Sequence, residues 1–125
     1  MKAILFIALG GAVGAVLRYW ISSGMYHLFG RNFPYGTLMV NVLGSLAIGM
    51  LSILLVDKYN FSHHIKLGLV VGVLSALTTF STFSLDTVEL LQQGLINKAL
   101  LNVLLNVVVC VSAVWVGTLW AKTMI

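Results

Sequence analysis

The chain has 125 residues, 60% of them hydrophobic and only 8% charged, with a formal net charge of +4. Soluble domains carry about a quarter charged residues, so this composition excludes an ordinary globular enzyme and makes lipid the solvent. The Lys and Arg residues stand singly, mostly at the edges of apolar runs; that pattern anchors helix ends at a membrane surface and offers no patch for nucleic acid.

A helix needs about 20 apolar residues to cross hydrocarbon, and four such spans can be drawn, over residues 3–28, 35–56, 66–92 and 97–121. Helices are the spanning element because lipid-exposed backbone must satisfy its own hydrogen bonds, and the runs lack the alternation of a barrel strand. The fold class is all-α: one transmembrane domain, residues 1–125, with linkers too short to hold chemistry of their own.

The first span holds Gly10, Gly11 and Gly14, small residues that let another helix approach closely. Lys2 ahead of an apolar stretch, with Gly14-Ala15 further on, imitates a cleavable leader. Apolar character resumes directly after Arg18 through Tyr19, Trp20 and Ile21, so the segment is read as a retained helix. Arg18 lies within the span, where an arginine costs about 2.5–3.5 kcal/mol on insertion scales. About 15 residues at 1.5 Å each carry it toward the far edge, where it anchors the helix, pairs with a carbonyl or supplies a vestibule charge.

In the second span Thr37, Asn41, Ser45 and Ser52 share one helical face. The Asn41 amide offers two donors, which suit either a structural bond to another helix or an anion. His63 and His64 follow in a linker read from Asp57 to His64, with no further ligand near in sequence to make a metal site.

The third span contains Ser75-Ala76-Leu77-Thr78-Thr79-Phe80-Ser81-Thr82-Phe83-Ser84, hydroxyl-rich and β-branched, a poor helix centre. Two readings fit: an intact helix with Ser and Thr bonded back to their own turn, or unwinding over residues 75–79 that aims carbonyls at a cation. Phe80 and Phe83, three apart, are either core packing or a pair of rings offering their positive edges to an anion. Asp86 and Glu89 lie toward the end of the span, Glu89 in interfacial water.

The fourth span carries Asn102, Asn106 and Cys110 at four-residue spacing, a second polar face that either bonds a partner helix or lines an interior path. Cys110 is the single cysteine, so no disulfide forms within one chain. With the first helix as reference, one side of the membrane carries Lys2, Lys58, Lys66 and Lys122 and the other Arg31 and Lys98. Since Lys/Arg bias sets orientation, so small a lead predicts insertion either way up.

Three segments together resemble the CrcB/Fluc fluoride channels: Gly10-Gly11-x-x-Gly14-Ala15-x-x-Arg18-Tyr19, Gly36-Thr37-Leu38-x-Val40-Asn41-x-x-Gly44, and Thr78-Thr79-Phe80-Ser81-Thr82-Phe83-Ser84. The resemblance implies a bacterial plasma-membrane protein working as a dual-topology antiparallel homodimer, with two fluoride pores, a broken third helix and a structural sodium ion at the two-fold axis. It implies Phe80 and Phe83 as an aromatic box with Asn41 as the donor beside them. Thr37, Ser81, Thr82, Asn106 and Cys110 would line the same pore. Backbone carbonyls of Ser75 and Thr78 would hold the sodium, and Arg18 and Asp86 would take vestibule or structural roles. Ser75 stands where that family commonly has Gly, Asp86 where it commonly has Glu, and the fourth-span residues where relatives often have Tyr and Ser.

The implied activity is passive fluoride efflux. A small proton-coupled multidrug exporter would need a carboxylate inside the membrane, yet the first two spans have none and the third only after residue 85. A non-conducting membrane subunit would use the same polar faces for assembly alone. No nucleophile and base pair, phosphate loop or metal cluster marks an enzyme.

Overall fold

Four uninterrupted stretches of apolar side chains, punctuated by Gly30, Pro34 and Gly94, leave the backbone one way to satisfy itself, and the chain is all-helical. The computed structural model describes residues 1–58 and 60–125; Tyr59, in the linker read from Asp57 to His64, lies outside them. Its four spanning helices run Lys2–Phe29, Tyr35–Lys58, His63–Gln92 and Ile96–Thr123, each long and apolar enough to cross a membrane. The protein is a multi-pass membrane protein.

The turns are made by residues suited to them. Gly30 ends the first helix with φ +81° and Gly94 turns the third into the fourth with φ +76°, left-handed backbone where a side chain would strain. His63 and His64 differ from the linker position read from sequence. They form the first turn of the third span, because Ser62 caps that helix by accepting the Ile65 N–H at 3.4 Å. Lys98 Nζ donates to the Asn32 carbonyl at 3.0 Å at one end of the bundle, and Lys58 Nζ to the Met124 carbonyl at 2.8 Å at the other.

Glycines decide which helices touch. A Cβ on Gly10 or Gly14 would run into the backbone carbonyls of Gly68 or Val73, so the first span lies against the N-terminal part of the third. Gly49 and Gly117 likewise meet the carbonyls of Val114 and Leu46, locking the second span to the fourth. With no apolar gain in lipid from burying one helix against another, such close backbone approach is what holds a bundle together. Val40, Leu74 and Leu77 form the buried centre, with Leu17, Ile21, Ala47 and Leu51 packed around it.

Among the described residues, three segments widen from α to π geometry: Leu54–Lys58, Gly68–Leu74 and Leu105–Val109. Sequence periodicity did not reveal them. In the second of these, Ser75 Oγ donates to the Val70 carbonyl five residues back, at 3.1 Å. The third affects the fourth-span polar face. Four residues of α-helix overshoot a full turn by about 40°, and the wider turn after Asn106 rotates less per residue, bringing Cys110 back toward the face of Asn102 and Asn106.

Candidate ion site at the extended pair of the third span

Helix covers Ser75–Leu77 and resumes at Phe80–Gln92. Unwinding is narrower than the residues 75–79 read from sequence: only Thr78 (φ −83°, ψ 157°) and Thr79 (φ −153°, ψ 124°) are extended. Two side chains make the extension affordable. Thr79 caps the following helix, its hydroxyl accepting from Thr82 N at 3.2 Å. Asn41 closes on the same peptide from the second span: its Oδ1 accepts the Thr79 N–H at 2.8 Å and its Nδ2 donates to the Thr79 carbonyl at 3.1 Å. Gly44 allows this approach, since a Cβ there would meet the Thr78 methyl group.

The extension also frees carbonyls. In a continuous helix the Ser75 carbonyl would accept from Thr79 N and the Thr78 carbonyl from Thr82 N, but those N–H groups go to Asn41 and to the Thr79 hydroxyl. At one place, mid-span, the chain therefore presents carbonyls at a helix C-terminus and a helix N-terminus whose partial charge is positive.

Beside the pair lies a cavity of about 310 Å³, lined by Asn41, Gly44, Ser45, Ile48, Leu74, Ser75, Thr78, Thr79, Phe80, Phe83, Asn106, Val107 and Cys110. Phe80 and Phe83 meet edge to face, centroids 5.4 Å apart at 63°. Phe83 is buried, whereas Phe80 is 77% exposed within the chain and faces outward.

A family described as CrcB-like protein, Camphor Resistance (CrcB), matches residues 5–118. The chain belongs to the CrcB-like family. Among its relatives are proteins named fluoride-specific ion channel FluC. That of Shewanella piezotolerans is 51% identical over 117 residues, 94% of each chain. That of Pseudoalteromonas translucida is 54% identical over 111 residues, 89% of this chain and 92% of the relative. A third, from Methylococcus capsulatus, is 50% identical over 116 residues, 93% of this chain but 51% of the relative, so the chain spans about half the length of that one. These relatives are ion channels and not enzymes.

Of the site residues read from sequence in this CrcB-like chain, the structure gathers Asn41, Ser75, Thr78, Phe80, Phe83, Asn106 and Cys110 around the one cavity. Asn41 is not free within the chain: besides Thr79, its Nδ2 donates to Asn106 Oδ1 at 3.0 Å. Ser81 and Thr82 lie outside the lining, exposed, with their hydroxyls grouped on Thr79 Oγ1 at 3.5 and 3.1 Å. Thr37 is buried and donates to Asp86 Oδ2 at 2.8 Å. Ser52 turns back onto the Gly49 carbonyl at 2.8 Å and leaves the polar face of its helix.

Asp86 instead helps to line a second cavity, about 360 Å³, at the end of the bundle where Arg31, Lys98 and Glu89 also stand. Arg31 sits over the Tyr26 ring at 4.7 Å. Arg18 lies on neither cavity wall. The cations beside this outer cavity are Arg31 and Lys98, which sequence reasoning assigned only to a loop.

Sequence reasoning missed Thr79, the residue on which Asn41, Ser81 and Thr82 converge. Its signal was available: a Thr directly before the helix start and three residues ahead of Thr82, an N-cap position. Ser45 was read as part of a polar face but not as a site residue, and it lines the cavity.

Proposed function

We propose that the protein is a fluoride-selective channel that lowers cytoplasmic fluoride by passive efflux across a bacterial plasma membrane. The observation that carries this reading is the cavity where Asn41, the extended Thr78-Thr79 pair and the edge-to-face Phe80–Phe83 rings meet, in a chain whose relatives are named fluoride-specific channels. Fluoride holds its water tightly, so a selective path must supply hydrogen-bond donors and positive ring edges in exchange. Asn41 Nδ2 receives the ion by giving up its 3.1 Å bond to the Thr79 carbonyl, and the rims of Phe80 and Phe83 pass it on. Ser45, Asn106 and Cys110 continue the polar wall. Accumulation of fluoride in acidic surroundings drives the outward flow.

The working unit in this reading is an antiparallel homodimer. Phe80, 77% exposed in one chain, is covered by the second copy, and the weak Lys/Arg asymmetry lets both orientations insert. The third helix is broken at Thr78-Thr79, and the Ser75 and Thr78 carbonyls that lose their helical donors fit a hard cation. Two from each copy would hold a structural sodium ion on the two-fold axis. Sodium supplies there a positive charge that ties the two chains together. Thr37 and Asp86 sit toward the outer cavity, which serves as a vestibule.

Purified protein in fluoride-loaded vesicles tests the reading. Fluoride efflux without chloride efflux, abolished by replacing both Phe80 and Phe83 with isoleucine, is the expected result. Vesicles that hold fluoride as tightly as empty ones overturn it, and proton-coupled dye transport would favour an exporter instead.

A further inference from the structure

One chain of side-chain hydrogen bonds runs from the ion site to a place that sequence reasoning left out. Thr79 N–H donates to Asn41 Oδ1 at 2.8 Å, Asn41 Nδ2 to Asn106 Oδ1 at 3.0 Å, and Asn106 Nδ2 to Asn102 Oδ1 at 3.0 Å. Asn102 Nδ2 then donates to Thr87 Oγ1 at 3.0 Å, and the Thr87 hydroxyl to the Phe83 carbonyl at 2.8 Å. All five bonds point the same way.

The two ends of this relay are backbone atoms, a donor at Thr79 and an acceptor at Phe83, and neither can change its sense. An amide can turn over, exchanging oxygen for nitrogen. Here each is held. The Thr87 proton is committed to the Phe83 carbonyl, so the Thr87 oxygen is left as an acceptor and Asn102 must face it with nitrogen. Asn102 then shows oxygen to Asn106, whose nitrogen also reaches the Asn102 carbonyl at 2.9 Å. Asn106 in turn shows oxygen to Asn41. Asn102 is fully buried, at 0% exposure, where an unpaired amide is costly. Turning any one amide would set donor against donor and acceptor against acceptor along the chain.

We propose that Thr87 and Asn102 are positioning residues for ion passage. Neither lines the cavity; acting through Asn106, they hold the Asn41 amide with its nitrogen toward Asn106 and its oxygen on Thr79. The same relay braces residue 79 against residue 83, the segment that carries both rings. This inference rests on the fluoride reading above and names residues that control its donor.

The test compares Thr87→Val, which keeps shape and removes the hydroxyl, with Thr87→Ser, which restores it. Thr87→Val should lower fluoride efflux from vesicles about tenfold, the rate equivalent of one buried hydrogen bond lost, with Thr87→Ser near wild type. Asn102→Leu should lower it similarly, and the double variant no further than either alone, as members of one chain do. Side-chain amide signals of Asn41 in 15N-asparagine-labelled protein should move in Thr87→Val, a change that loss of packing alone would not produce so far from the substitution. Should the valine variant not fold, Asn102→Leu read on its folded fraction carries the comparison. Wild-type efflux with unaltered efflux in Thr87→Val and Asn102→Leu, or Asn41 signals that stay put, overturns the relay. Wild-type protein that releases no fluoride overturns the channel reading itself.

Discussion

Asn41 does more than one job, and its substitutions separate them. It holds the Thr79 peptide on both sides and joins the fourth span through Asn106. Asn41→Asp retains an acceptor for the Thr79 N–H but has no donor and adds negative charge where an anion must pass. A folded protein whose fluoride efflux falls by about a hundredfold or more is the expected outcome, read in vesicles against a thermal melt. Cys110, the single cysteine and a cavity-lining residue, provides a second handle. A small thiol reagent should block fluoride efflux in the wild type and leave Cys110→Ser unaffected; wild-type efflux that persists after the thiol is fully modified would place Cys110 off the path. Residue types were legible in the sequence, which showed Asn41, Phe80, Phe83, Asn106 and Cys110 as polar or aromatic features in apolar helices. Thr79 was legible only as a helix cap for Thr82; its bonds to Asn41, 38 residues away in the chain, left no sequence signal.

At the scale of the helix, glycines set the distances and the extended pair sets the chemistry. A side chain at Gly49 must displace the Val114 backbone. Gly49→Val should therefore destabilise the second–fourth pairing by about 1–3 kcal/mol or more, visible as a lower melting temperature in detergent and loss of folded protein on size exclusion. Gly11, with nothing near an added Cβ, should tolerate alanine in the same assay. Both residues look alike in sequence, since a glycine stripe shows that close approach is possible and does not say which member makes it. The π segments were invisible for a related reason. A single widened turn shifts helical phase locally, and hydrophobic spacing averaged over a whole span hides it.

For the molecule as a whole, the chain leaves much apolar surface uncovered: only 11% of the most apolar window of the first span is buried. Lipid covers part of it, and under the proposed function a second, inverted copy covers the face that carries Phe80. Adding three lysines beside Lys58 should force one orientation. Fluoride efflux from cells should then vanish when that variant is expressed alone and return when it is coexpressed with one biased the opposite way. Retained activity of the singly expressed variant would contradict an antiparallel dimer.

Composition and order alone determined the membrane as solvent, the four-helix layout and the apolar setting of each polar residue, because the need to satisfy backbone in lipid acts on every long apolar run regardless of its neighbours. Tertiary structure decided which polar groups meet: that Asn41 clasps Thr79, that Thr37 turns to Asp86, and that Asn102 and Thr87 stand behind Asn106. The physical reason is that a hydrogen bond has short reach and fixed direction, whereas its partners here come from different helices whose separation along the chain leaves no periodic trace.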